Sequence, residues 1–121
     1  MKTLLLFAIC CFTLSLQAQT EKELIGKWKL VKMTKDGEEK DIKKEFKTDE
    51  VYQVFKEDHK FEGINGDKSR SGKWSLSDDN KELKITISIV SVKFKIDYFD
   101  AKRRVITSGQ TGTLEYNKVE E

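Results

Sequence analysis

Leu24-Ile25-Gly26-Lys27-Trp28-Lys29-Leu30 sets a glycine two residues ahead of a tryptophan, inside a run that alternates apolar and charged side chains. A period of two puts Gly26, Trp28 and Leu30 on one face of a pleated strand and Lys27 and Lys29 on the other. Glycine on the inner face lets the backbone lie close to a neighbouring strand, and the indole two residues on is a bulky plug for a core. The arrangement returns as Gly72-Lys73-Trp74-Ser75-Leu76. Two strands therefore ask for a close approach followed by an inward ring. A motif that occurs twice, with several strands between, is not a solenoid repeat.

Outward from the first strand, alternation persists along most of the chain. Tyr52 and Val54 define a second strand, ended by Glu57-Asp58, and His59, Phe61 and Gly63 a third, ended by the turn-forming Asn65-Gly66. Gly72, Trp74 and Leu76 form a fourth, Leu83 to Ile89 a fifth, and Val92, Phe94, Ile96 and Tyr98 a sixth. The apolar phase slips by one residue at Ile89-Val90, which requires a reversal or bulge near Ser88 to Ser91. Asp100-Ala101-Lys102 turns the chain into a seventh strand, Arg103 to Thr107, and a loop at Ser108-Gly109-Gln110 leads to the eighth, Thr113 to Lys118.

Between the first two strands, Glu38 to Lys47 is the one segment with helical character, since Ile42 and Phe46 are four apart and share a helical face. Such a short helix needs a surface to lie on, and an open end of the sheet supplies it. The fold class expected is all-β: an eight-stranded antiparallel up-and-down barrel with one short helix between strands 1 and 2. Closure removes exposed edges, and eight strands leave room for side chains or one small ligand.

The segment ahead of the barrel has the grammar of a cleaved signal peptide: Lys2, an apolar run from Leu4 to Leu16, and Ala18 before the break. The run is too short for a span of ~20 residues. Residues 1–18 are thus expected to be a leader and 19–121 one domain, exported to the periplasm or beyond. Lipid anchoring is not expected, because Ile9 or Cys10 would occupy the position where a small residue must precede an acylated cysteine. Both cysteines, Cys10 and Cys11, fall in the leader, so no disulfide is expected in the domain.

Lys and Arg number 23 against 21 Asp and Glu, a net charge of +2 that falls further when Lys2 leaves with the leader. With signs interspersed, this balance excludes a nucleic-acid footprint and a polybasic membrane anchor, and no membrane span is expected in the mature chain.

The leader followed by Leu24-x-Gly26-x-Trp28-x-Leu30, then Phe61, then Gly72-x-Trp74-x-Leu76, resembles the lipocalin-like domains of exported bacterial proteins. The resemblance covers nearly the whole mature chain, with Gly26 and Trp28 matching the wider lipocalin signature. It implies a calycin-type barrel that binds a small molecule. In typical lipocalins an arginine near the end of the last strand covers the tryptophan. Here that strand ends Tyr116-Asn117-Lys118, and Arg103 and Arg104 stand one strand earlier.

Catalysis is not expected. His59 is the sole histidine, beside a turn in a charged stretch, and triad chemistry needs an imidazole next to a nucleophile. One histidine without a mature cysteine is too few for zinc, and Asp78-Asp79 lacks the alternate spacing of a calcium loop, so neither metal nor cofactor is expected. Binding is. Trp28, Tyr52, Phe61, Trp74, Phe94, Tyr98 and Tyr116 are expected to line the interior, where three phenols would orient a small hydrophobic or amphipathic ligand. The alternative is a filled barrel whose outer surface docks another envelope protein through the out-of-phase Val31, Met33, Val51, Phe55 and Phe99.

Overall fold

The structure, a computed structural model, describes residues 20–120. The expected leader lies outside the described residues. Among these, nine strands form one antiparallel sheet: β1 Gly26–Lys35, β2 Glu38–Lys40, β3 Val51–Lys56, β4 Lys60–Asn65, β5 Lys68–Leu76, β6 Glu82–Ile87, β7 Val90–Phe99, β8 Arg103–Ser108 and β9 Gly112–Lys118. From β3 to β9 each strand pairs with the next, and β9 returns to β1 to close the barrel. Eight strands make the wall as expected. The ninth, β2, is a short hairpin arm on the far end of β1, pairing Met33 with Lys40. Among the described residues no helix is long and apolar enough to cross a membrane.

β1 begins at Gly26 rather than at Leu24, because residues 20–24 are helical. The helical turn tucks Leu24 into the core, and its carbonyl accepts a 2.8 Å hydrogen bond from the Trp28 indole. Gly26 makes the switch from helix to strand at a φ of +137°, where a side chain is strained, and a Cβ there would press on Lys118 Cε at 2.7 Å. Gly72 has a different cause: a Cβ would sit 2.1 Å from the Thr86 carbonyl oxygen of β6. Close backbone approach, expected at both glycines, is the reason for the second.

The expected helix is shorter than the 38–47 segment, since Glu38–Lys40 is taken by β2. It spans Ile42–Phe46, with Asp41 as N-cap accepting from the Lys43 amide at 3.1 Å and Lys47 closing it at a φ of 67°. Ile42 and Phe46 do share the face that packs on the core.

Turns fall where turn chemistry placed them. The phase slip at Ile89-Val90 is a reversal: Ile87 pairs with Val90 across Ser88 and Ile89, with Ser88 at a φ of 59°. Asn65 pairs with Lys68, so the reversal after β4 uses Gly66-Asp67, one residue later than expected. Asp100 holds the β7–β8 turn by accepting from the Lys102 and Arg103 amides, both at 2.8 Å.

Two phases differ from expectation. In β3 the inward residues are Val51 and Phe55, both buried, which puts Tyr52 on the outer face. Either phase of this strand is rich in apolar residues, so alternation alone does not choose. In β7 the register with β8 shifts between Ile96 and Tyr98, an extra residue at Asp97 that turns Tyr98 outward and Phe99 inward. Tyr98 is 45% exposed, whereas the Phe99 ring centroid lies 5.9 Å from that of Trp28. A second bulge, at Val31 between Leu30 and Lys32, brings Met33 against the core. Of the five residues expected to be out of phase, Val31 alone is exposed.

Candidate functional site

The core divides the barrel into a packed end and an open one. At the packed end Phe55 meets Phe61 and Trp74 edge to face, with centroids 5.2 and 5.7 Å apart. Trp74 donates to the Lys56 carbonyl at 3.0 Å, and the His59 ring stands edge-on to it at 4.8 Å, with Nε2 3.3 Å from a Glu21 carboxylate oxygen. His59 therefore caps the plug rather than pointing at an interior nucleophile. Trp28 is 0% exposed; Lys118, on the last strand, holds its ammonium 5.3 Å from one ring of the indole and donates to the Glu23 carbonyl. Arg104, one of the two arginines one strand earlier, also lies on this indole, with its guanidinium carbon 5.0 Å from the ring, so both cations cover the tryptophan.

At the open end is a cavity of about 260 Å³. Its walls are Val51, Phe61, Ile85, Ile87, Val92, Phe94 and Leu114, with Phe46 of the short helix at the mouth. Gln53, Thr111 and Tyr116 are polar groups on its border. Outward, past Phe46, Gly63, Asn65 and Ile87, it continues into a vestibule of about 530 Å³ edged by Lys47, Asp67, Lys68 and Arg70.

Of the seven aromatic residues expected to line the interior, Phe61, Phe94 and Tyr116 border this cavity with buried rings. Trp28 and Trp74 are buried below it as core. Tyr52 borders it from the wall, with its ring turned outward beneath Lys27 Nζ, 4.4 Å from the centroid, and its hydroxyl donating to Glu50. Tyr98 is outside altogether, where its hydroxyl donates to Asp100 at 2.7 Å and Arg103 lies 5.0 Å from the ring centroid. The expected trio of phenols reduces to Tyr116.

Two residues that alternation did not single out complete the site. Arg104 of β8 points inward with Ile106 and is 0% exposed. Its guanidinium carbon lies 5.0 Å from Trp28, 4.8 Å from Phe55 and 4.4 Å from the ring of Tyr116, its register partner on β9. Nη2 donates to Gln53 Oε1 at 2.8 Å, while Nε and Nη1 have no partner among the described residues. Three ring faces attract the cation but do not neutralise it. Burial lowers the Arg104 pKa to about 10 and raises that of the Tyr116 phenol to about 12, so near neutral pH the first remains charged and the second keeps its proton. The signal was present in the sequence: Arg104 is two residues from Ile106, in phase with it, and only the unpaired charge argued against an inward reading.

A family model described as a C-terminal lipocalin-like domain matches residues 13–118. Solved structures share the fold. A lipocalin-like protein from Bacteroides uniformis superposes with a TM-score of 0.65 at 19% identity, covering 80% of this chain and 99% of that one. A protein from Bacteroides eggerthii does so with 0.61 at 17%, covering 79% and 99%. A third, from Bacteroides vulgatus, reaches 0.56 at 12%, covering 79% and 94%. Among curated proteins, none matches.

Proposed function

The chain belongs to the family of C-terminal lipocalin-like domains, and from that premise we propose that it is an exported, non-enzymatic binding protein that takes a small hydrophobic or amphipathic molecule into the open end of its barrel. The cavity of about 260 Å³ behind Phe46 carries this reading. Its apolar walls are open to solvent past Phe46, and an apolar group that enters removes them from water, worth about 25 cal/mol per Å² covered. The cavity lies just under the ~300 Å³ at which drug-sized pockets begin, so the ligand is small. A 150 Å³ apolar cavity takes benzene, and in proportion this one takes about ten non-hydrogen atoms.

Export rests on Lys2, the apolar run Leu4 to Leu16 and Ala18. N-terminal sequencing of protein recovered outside the cytoplasm tests it, with Gln19 expected as the first residue. Binding is tested by incubating the purified protein with a bacterial lipid extract and identifying by mass spectrometry what remains bound after gel filtration. Protein that stays empty, and whose tryptophan emission ignores octan-1-ol, removes the binding role.

A second reading, docking of another envelope protein on the outer surface, keeps one observation. Ile89 and Val90, at the tip of the β6–β7 hairpin, are 95% and 60% exposed. A photocrosslinker at position 89 that captures no protein in cells removes it.

A further inference from the structure

The β6–β7 hairpin stands clear of the wall at the open end. β5 pairs with β6 only as far as Thr86, and β8 pairs with β7 only from Lys95, so Ile87 and the stretch from Val90 to Phe94 have no flanking strand among the described residues. The tip is apolar. Ile89 and Val90 are exposed, while Ile87, Val90 and Val92 continue inward as cavity wall, so an aliphatic path runs from solvent to the interior. Below the tip the outer face is basic. Leu83, Ile85 and Phe94 are buried, which turns Lys84 and Lys93 outward. These two lysines are register partners across the hairpin, and like charges directly opposite destabilise a sheet. Neither has an acidic partner among the described residues. The acidic side chains of the open end are carried mainly by β2 and the loop around the helix, beside β1 and β3 and across the barrel from this hairpin. Nearer to it, Lys68 and Arg70 outnumber Asp67 along the vestibule.

We propose that the open end docks on an anionic lipid bilayer, with Ile89 and Val90 entering the head-group boundary and Lys84 and Lys93 meeting lipid phosphates. This surface goes beyond the binding role argued above and does not depend on it. From Val90 to Lys93 the strand rises ~10 Å, which matches the ~5–10 Å to which apolar groups enter that boundary, and lysine stems snorkel across the difference. The bilayer supplies the counter-charge that the Lys84–Lys93 pair lacks within the protein. A protein partner would bury ~800 Å² on each side against a matching shape, far more than two aliphatic side chains offer, whereas a fluid boundary needs no matching shape. Nor is this the polybasic anchor that the balanced charge of the chain excludes: the tip makes the contact and the lysines orient it. Docked in this way, the cavity mouth faces acyl chains, and an apolar ligand has a route between bilayer and barrel along Ile89, Val90 and Val92 that avoids water.

Cosedimentation tests the proposal, using protein recovered outside the cytoplasm and vesicles of phosphatidylcholine, alone or mixed equally with phosphatidylglycerol. Binding to the mixed vesicles should be roughly tenfold stronger than to phosphatidylcholine alone. Ile89→Ser/Val90→Ser should weaken it roughly fivefold and Lys84→Ser/Lys93→Ser roughly threefold, and because all four side chains are exposed the urea midpoints should hold. Lys22→Ser/Lys102→Ser removes the same charge at the packed end and should leave binding unchanged. No cysteine follows Cys11, so in the processed protein Ile89→Cys carries a single nitrobenzoxadiazole label, whose emission should shift to the blue on mixed vesicles, while a label on Lys22→Cys should not. Protein that stays in the supernatant with both vesicles, equal losses in the hairpin and packed-end variants, or an unmoved label at position 89 overturns the docking. Capture of an envelope protein by a photocrosslinker at position 89, without vesicle binding, assigns the tip to that protein and overturns it as well. Octan-1-ol binding is measured without lipid, so failure of either result leaves the other standing.

Discussion

Replacing Gly72 by alanine tests the barrel at its tightest point. The new Cβ would lie 2.1 Å from the Thr86 carbonyl oxygen and 3.1 Å from Ile87 Cγ1, and since real contacts do not fall under 3.0 Å, β6 must retreat by about 0.9 Å. The atom it meets is backbone of Thr86, whose pairing with Lys73 closes one end of the β5–β6 ladder, so no side chain can rotate to relieve it. Ladder bonds of ~2.9 Å stretched by that amount pass beyond hydrogen-bonding distance. Two such bonds lost, at ~1–3 kcal/mol for each group left unpaired, amount to about 3 kcal/mol or more. With a urea slope of ~1–3 kcal/mol per M, the unfolding midpoint should fall by on the order of 2 M. Gly109→Ala is the control, because nothing lies within 4 Å of its Cβ and its φ is not positive, so its midpoint should hold or rise slightly. Tryptophan emission reports both transitions. If Gly72→Ala unfolds at the same urea concentration as Gly109→Ala, the close approach of β5 and β6 is wrong.

Other outcomes follow from the same geometry. Trp28→Phe removes the indole donor to the Leu24 carbonyl and should cost ~2–3 kcal/mol in urea unfolding; a loss under ~0.5 kcal/mol would mean that this bond is not made in the core. Val92→Phe places a ring in the cavity and should abolish octan-1-ol binding without lowering the unfolding midpoint; undiminished binding would put the ligand elsewhere. The Asp100 carboxyl is held below its ordinary pKa, first by the Tyr98 hydroxyl and then by the Lys102 and Arg103 amides. A folded-state pKa below the unfolded one stabilises above the unfolded value near ~4 and is lost as pH falls through the folded value. Asp100→Asn should accordingly be less stable than the unmodified protein at pH 7 and converge with it as pH falls through the lowered folded-state value; a gap that persists in acid would assign the effect to turn geometry alone.

Period-two alternation was enough to place every strand of the barrel wall, because each has one wet and one dry face and a slip reverses both. It failed where a strand offered two apolar phases or changed phase midway. Val51, Gln53 and Phe55 compete with Tyr52 and Val54 on nearly equal terms, and burial against β1 and β4 decides for the first set. Within Ile96-Asp97-Tyr98-Phe99 nothing local announces that Asp97 is the extra residue; the bulge is a property of the pairing with β8. The site was harder to read than the fold for a related reason. Arg104 gains its meaning from Tyr116 across a ladder and from Gln53 across the interior, contacts that no local window contains.

β1 is bonded to β9 along one edge and to β3, then β2, along the other, so the first and last strands of the sheet are joined directly. Sealing the wall therefore brings together segments from opposite ends of the domain, the slow kind of step in assembly. Until residues 112–118 emerge during synthesis, β8 is a bare edge with Arg104 facing an unfinished interior, and sheet edges of that kind recruit other chains. A chain truncated before Gly112 should be recovered as aggregate rather than as a smaller soluble barrel.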